Sequence, residues 1–390
     1  MAIEKRTLVI WGAGRIGRGF VADIFQSPDW EIVFVDVDQA LVDALNARKG
    51  YTIFKMTSDG VFKTRIEGGF TAVHTSDAAR LEEIFSRDDL MLDIAVHAPK
   101  LGEVADMLTP LFVLRAKGGK RMDVMMNVNM TLPDEAFTAL MEERLTGEDL
   151  TFFRENVGVT GIAAMCISPM AEESQFAEDP LALQNNGYHE QAIDKGRLKC
   201  AAPILPRLRL CDDVTREETR KLFTLNMLHA SACYMGLQLG LETSYDAANC
   251  PKLRKVLESA LVEASYGLSR EFGFGHEEMA EWRQTVMKLL ENPYIKDGLQ
   301  RLGADSRRKL GPNDRLLGPA RLCLKYGGRP ESLCQAIRAG FDYVNDDEGT
   351  RWVRSLVKKN GLKAAVMQAS GLSDGDMLLD MILESELIGG

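Results

Sequence analysis

The chain has no C-x-x-C pair, no basic excess and no long apolar run, and each absence removes a class of function. Its seven cysteines are odd in number and widely scattered, so neither a disulfide framework nor a zinc ribbon is expected, and the thiols are read as reduced. A formal net charge of −10 offers no general attraction to nucleic acid or an anionic membrane, although it leaves room for a local basic pocket. No stretch of about 18 uncharged apolar residues occurs, and the opening Met1-Ala-Ile-Glu-Lys-Arg6 runs into a strand-like segment without the apolar core of a signal peptide. A cytoplasmic protein that binds neither membrane nor nucleic acid is expected. No internal repeat or low-complexity tract is evident. What is present is 390 residues at 45% hydrophobic content, enough for substantial cores in two or three domains.

Thr7-Leu-Val-Ile-Trp11 is a short β-like run followed at once by Gly12-Ala-Gly14-Arg15-Ile16-Gly17-Arg-Gly19, then by a helical pattern through Phe20, Val21, Ile24 and Phe25. Strand, glycine turn and helix together form the layout that grips a dinucleotide pyrophosphate. Gly12 permits the tight turn, Gly14 lets the phosphates approach the backbone, and Gly17 lets the helix pack close to the strand, with Arg15 and Ile16 counted in the same site. A second strand-like run, Glu31-Ile-Val-Phe-Val-Asp36, ends in an acid about 20 residues beyond the turn. A carboxylate there accepts hydrogen bonds from ribose hydroxyls and repels a 2′-phosphate, so Asp36, helped by Asp38, favours NAD as the cofactor. Further strands at 72–74, 90–97 and 121–127, alternating with helices such as 79–85 and 102–108, imply a doubly wound parallel sheet. The loops His97-Ala-Pro99 and Asn127-Val-Asn129-Met130 then open at its carboxyl edge, which makes His97 a cofactor candidate and Asn129 a site candidate. A turn-forming role is the other reading of Asn129.

From about residue 212 the periodicity turns helical, at 215–239, 245–272, 277–290, 332–341 and 349–359. The expected fold is α/β: a Rossmann-type domain with an extension over 1–205, followed by a mostly α-helical catalytic domain over 206–390. A water-excluding cleft between two such domains is a frequent dehydrogenase plan. Lys221-Leu-Phe-Thr-Leu-Asn226-Met-Leu-His229 sets three polar side chains into an otherwise apolar helical segment. At about 100° per residue, Asn226 lies roughly 140° and His229 roughly 80° around from Lys221, so all three project from one side. Burying a lysine or an amide is costly without a partner, and a substrate would supply one. The alternative has Lys221 snorkelling to water, Asn226 bonding a backbone carbonyl and His229 satisfied inside a core. Downstream, 301–315 is turn-rich and basic, and Arg307, Arg308, Lys309 and Arg315 suit a carboxylate or phosphate unless the segment is a solvated charged loop.

Gly12-Ala-Gly14-Arg15-Ile16-Gly17-Arg18-Gly19-Phe20 with Asp36, the Lys221–His229 run, and Glu291-Asn-Pro-Tyr-Ile-Lys-Asp297 leading into Arg308-Lys309-Leu310 and Asp314-Arg315-Leu316 together resemble the mannitol dehydrogenase family of polyol-specific long-chain dehydrogenases. The likeness runs through most of the chain, and K-x(4)-N-x(2)-H is its specific part. It implies an NAD-dependent, metal-independent oxidoreductase in which Lys221 is the acid/base, Asn226 and Asn129 hold the reacting oxygen, and His229 hydrogen-bonds the substrate. The stretches GRGF, NPY-x-KD and DRL imply a hexitol phosphate and its ketose as substrates, with Arg308, Lys309 and Arg315 as ligands. The expected partner is thus a small polyol or sugar phosphate, and the expected assembly a monomer or weak dimer. Two stretches depart from the family pattern: Ala164-Met165-Cys166 replaces a usual Val-Asp-Arg, and Tyr188-His-Glu-Gln191 stands where a tryptophan-containing segment is expected. Two rivals stay open: a reductase of a free polyol or of a sugar acid of the tagaturonate or fructuronate type, and a non-enzymatic NAD-binding sensor.

Overall fold

Apolar runs bounded by turns build eleven strands among the described residues, which are 5–130, 132–295 and 297–389 of this computed structural model. They are β1 (Arg6–Trp11), β2 (Trp30–Asp36), β3 (Gly50–Thr57), β4 (Gly60–Glu67), β5 (Phe70–His74), β6 (Leu90–Ile94), β7 (Met122–Met126), β8 (Val157–Ala163), β9 (Leu183–Asn185), β10 (Gln191–Asp194) and β11 (Leu208–Cys211). The chain divides into two units, Met1–Met56 with Val61–Glu218 and Thr57–Gly60 with Thr219–Gly390.

In unit 1, β5-β2-β1-β6-β7-β8 pair in parallel, and β10 then joins β8 antiparallel with β11 beside it. Strand order reverses at β1, which has β2 on one side and β6 on the other, and such a switch point is where open α/β sheets bind ligands. Leu8, Val9 and Ile10 are wholly buried because both faces of the sheet are covered. One face packs on the segment after β1 and on Tyr51 and Leu183; the other packs on helices such as Ala78–Phe85 and Leu101–Lys117. The small sheet β4-β3-β9 is not anticipated by periodicity, although Asp59-Gly60 between two eight-residue runs is a hairpin signal, with Gly60 at φ +139°.

Unit 2 is helical. Met227–Gln238 is apolar nearly all round and lies against Pro251–Phe272, Leu299–Gly303 and Glu331–Asp342, which explains why it carries no polar face. Two expected helices are interrupted. Pro251, which lacks an amide hydrogen, starts a new helix after Ser244–Asn249, and 215–239 breaks into Val214–Lys221, a π-turn over Leu222–Asn226, and Met227–Gln238. The helix expected to end at 359 continues as Glu348–Ser370 across a kink at Gly361, whose φ of 78° departs from helical values. No helix of the described residues is long and apolar enough to cross a membrane. The architecture is therefore the α/β one expected, a Rossmann-type sheet followed by a mostly helical part.

Candidate active site

β1 ends at Trp11, and the Gly12 amide donates to the Val35 carbonyl at 2.8 Å. Gly12 sits at φ +106°, and a Cβ there would stand 2.4 Å from the Ala95 carbonyl oxygen. A Cβ on Gly17 would stand 2.1 Å from the carbonyl oxygen of Gly12. Neither position admits a side chain. Gly14 has nothing within 4 Å of its would-be Cβ, so the open approach lies at the middle glycine, with Arg15 exposed beside it and Ile16 half-buried. The Asp36 carboxylate accepts from the Ala13 amide (2.7 Å) and the Asp38 amide (3.0 Å), which fixes it at the end of β2 facing the turn. Asp38 caps helix Gln39–Arg48 through the amides of Ala40 and Leu41. This open glycine cradle next to an oriented acid fits a dinucleotide with free ribose hydroxyls.

After Gly17 the chain makes a π-turn, Gly17–Val21, before the short helix Ala22–Phe25. Arg18 explains its firmness. The buried guanidinium donates to the carbonyls of Ala13 (2.6 Å) and Leu181 (3.1 Å) and lies over the Tyr51 ring, whose hydroxyl donates to the Arg18 carbonyl at 2.9 Å. His97 and Asn129 are exposed beyond the carboxyl ends of β6 and β7. Beneath that edge is a polar group the sequence reading passes over: Asp93, fully buried on β6, accepts from the Asn127 carboxamide, which also reaches Gln191 Oε1 at 3.4 Å. Burial pushes the Asp93 carboxyl up to about 8, with the Asn127 bond opposing, so it is mostly uncharged at neutral pH.

The departing stretch is ordered by Asn186. Its carboxamide donates to the Met165 carbonyl (2.8 Å) and accepts from the Ile167 amide (3.1 Å), tying 165–167 to the Gly187 turn. Met165 is buried.

In unit 2, Lys221 is half-buried at the end of helix Val214–Lys221, where the π-turn begins, and Asn226 closes that turn. The Met227 amide donates to the carbonyl of Leu222, five residues back, as a π-turn requires. Neither the Asn226 carboxamide nor the His229 imidazole has a protein partner among the described residues, and both are partly exposed. The reading in which Asn226 bonds a carbonyl and His229 is satisfied in a core is not what the structure contains. Desolvation brings His229 down to about 4; Arg315, Arg301 and Lys309 push the same way and Asp297 opposes them. The imidazole is thus neutral at ordinary pH.

That depression carries a sign. Below about pH 6.5 the unfolded chain takes a proton that folded His229 refuses, so stability falls with acidification from there towards pH 4 and is unaffected above. His229→Gln is expected to flatten this part of the decline. Thermal melting of both proteins between about pH 7 and about pH 5 checks it, and parallel declines would contradict it.

The basic segment is largely self-neutralised. Arg308 pairs with Asp305 at 2.9 Å and lies 3.7 Å from Asp314, and Arg307 stacks on Trp352 at 4.5 Å. Lys309 is buried, with its ammonium donating to the carbonyls of Leu302 and Ala304, and burial brings it down to about 8. Arg315 differs: only 11% of its side chain is exposed, Nε is bound to Asp314 at 2.7 Å, and Nη1 and Nη2 have no partner among the described residues. Among those residues no group of three or more His, Cys, Asp and Glu is placed to hold a metal ion.

Comparison with known proteins agrees with this geometry. The profile of the mannitol dehydrogenase Rossmann domain matches residues 6–206, and that of the mannitol dehydrogenase C-terminal domain matches 213–385. The chain is 32% identical to a mannitol-1-phosphate 5-dehydrogenase of Bacillus pumilus (strain SAFR-032), over 96% of this chain and 98% of that protein. It is 29% identical to the protein of that name from Bacillus subtilis (strain 168), with the same coverage. Among solved structures, a substrate-free D-sorbitol dehydrogenase superposes with a TM-score of 0.82 at 16% identity, covering 98% of this chain and 92% of that one. The Pseudomonas fluorescens mannitol 2-dehydrogenase, solved with NAD and D-mannitol, superposes with a TM-score of 0.71 at 14% identity, covering 98% of this chain and 94% of that one. Glycine turn, helical motif and both profile matches lead to one assignment: the chain belongs to the mannitol dehydrogenase family.

Proposed function

We propose that this NAD-dependent oxidoreductase interconverts mannitol 1-phosphate and fructose 6-phosphate without a metal, using Lys221 as acid/base. Mannitol 1-phosphate follows the names of its near full-length relatives, and oxidation at its carbon 5 gives fructose 6-phosphate. The observation that carries the phosphate is Arg315, whose outer nitrogens are open while its charge is felt at the unpartnered imidazole of His229. A guanidinium end of that kind binds two oxygens of one phosphate.

When bound at the glycine turn, NAD supplies the acceptor for the carbinol hydride and NADH the donor in reverse. Gly12, Gly14, Arg15, Ile16 and Gly17 would hold the pyrophosphate end and Asp36 the ribose, with His97 at the carboxyl edge of the sheet. In oxidation, neutral Lys221 takes the hydroxyl proton, and in reduction its ammonium returns one to the oxygen. The Asn226 carboxamide donates to that oxygen as negative charge develops on it, and the family resemblance gives Asn129 the same task. Neutral His229 has one ring nitrogen to donate and one to accept, which suits a neighbouring substrate hydroxyl. Arg315 holds the phosphate; Arg308, more exposed, and Lys309, spent on two carbonyls, add positive charge around it.

A carboxylate would fit Arg315 too, so a sugar acid is the second reading. Assaying NADH consumption with fructose 6-phosphate, fructose and a tagaturonate-type keto acid separates them. Fructose 6-phosphate is expected to exceed fructose in kcat/KM by roughly 100-fold or more, the worth of two charge-assisted hydrogen bonds. Faster turnover of the keto acid or of fructose overturns the phosphate assignment, and tight NADH binding with no turnover of any of them favours a sensor.

A further inference from the structure

In a regular α-helix the motif shares one side only loosely. At about 100° per residue, a side chain five positions on lies roughly 140° away, so Lys221 and Asn226 would stand at the two edges of that side. A π-turn, closed by bonds five residues apart, inserts one extra residue into the helix, so position i+5 takes roughly the place that i+4 has in an α-helix, about 40° from position i. The motif has a π-turn between these two residues, over Leu222–Asn226. From Asn226 the chain continues as α-helix, which sets His229 about 60° back round from Asn226, just past Lys221. The arc spanned by the three side chains thus contracts from roughly 140° to roughly 60°.

A π-turn is rare and needs outside support. Two side chains give it. Thr224, wholly buried inside the turn, donates its hydroxyl hydrogen to the Arg220 carbonyl at 2.6 Å. Its oxygen in turn accepts from Trp282 Nε1 at 2.9 Å, so both capacities of the hydroxyl are used. Trp282 belongs to helix His276–Leu290 and is held by the Arg220 guanidinium, 3.9 Å from the ring centre and ion-paired with Glu278 of the same helix. Phe223 and Trp282 both pack against the cluster of Leu268, Phe274 and Met279, and Phe223 leaves no space for a Cβ at Gly318, which would lie 2.3 Å from its ring.

We infer that Thr224 and Trp282 are positioning residues, which act by holding the π-turn that aligns Lys221 with Asn226. The inference rests on the reading of Lys221 as acid/base. Thr224→Val keeps the shape and removes the hydroxyl. It is expected to lower kcat by roughly 10- to 100-fold, the cost of a displacement near 1 Å, with NADH binding near that of the parent and a melting temperature only a few degrees lower, the cost of the lost hydrogen bonds. Thr224→Ser, which restores the hydroxyl, is expected to recover most of the rate. Trp282→Phe, which keeps the ring and loses the donor, is expected to lower kcat in the same direction and serves if the valine variant fails to fold. On an Asn226→Ala background, Thr224→Val is expected to cost little more, because the group it aligns is gone. Unchanged kcat in Thr224→Val and Trp282→Phe, no recovery with serine, or full multiplication of losses in the double variant overturns the inference. Full activity of Lys221→Ala would instead strike the acid/base reading, whichever way Thr224 behaves.

Discussion

Lys221→Ala is expected to lower kcat by roughly 10²- to 10⁴-fold, the usual worth of one positioned acid/base, while NADH binds as it does to the parent protein. The separation follows from where the groups lie. The glycine turn and Asp36 belong to unit 1, whereas Lys221 belongs to unit 2 and ends helix Val214–Lys221. Removing the amine leaves the nucleotide cradle unaltered. A second signature is expected in the pH profile, where the rate dependence attributable to the amine disappears from the remaining activity. Steady-state rates across the neutral to alkaline range, with a fluorescence titration of NADH, test both halves. Turnover near that of the parent rejects Lys221 as the proton carrier, and lost NADH binding shows damage to the fold instead of to the chemistry.

Arg315→Gln is expected to raise KM for a hexitol phosphate by roughly 100- to 1,000-fold and to change KM for the free hexitol only a few-fold. The magnitude follows from losing two hydrogen bonds to a charged group, each worth about 1.5–3 kcal/mol, of which glutamine replaces part. Arg315 is the cation to test because its side chain is mostly buried, its Nε is anchored on Asp314, and its outer nitrogens are open. By contrast, Lys309→Met is expected to disturb stability before affinity, since the Lys309 ammonium ties the carbonyls of Leu302 and Ala304. Equal KM changes on phosphorylated and free substrate in Arg315→Gln would show that the arginine does not bind the phosphate.

Much of the nucleotide part is legible in sequence because it is local. Strand, glycine turn and acid fall within Arg6–Trp11, Gly12–Gly17 and Trp30–Asp36, and Gly12 and Gly17 each answer a nearby steric demand. The helical motif is legible as a face but not as a shape. Its π-turn depends on a tryptophan 58 residues further on, which no periodicity within the segment can report. The same limit hides the Asp93 network, whose Asn127 stands 34 residues from the acid and 64 from Gln191. Other features were within reach. Asp59-Gly60 announces the β3–β4 hairpin, and Asp305 and Asp314 stand inside the basic segment that they neutralise.

Arg18 carries one consequence for engineering. An arginine directly after a nucleotide turn invites treatment as a dial for cofactor choice, to be recharged when a different phosphate pattern is wanted. Here that side chain is a rivet joining the turn to the backbone at Leu181 and to the Tyr51 ring. Redesign of dinucleotide preference belongs at the tip of β2, because replacing the rivet loosens the scaffold on which any preference is built.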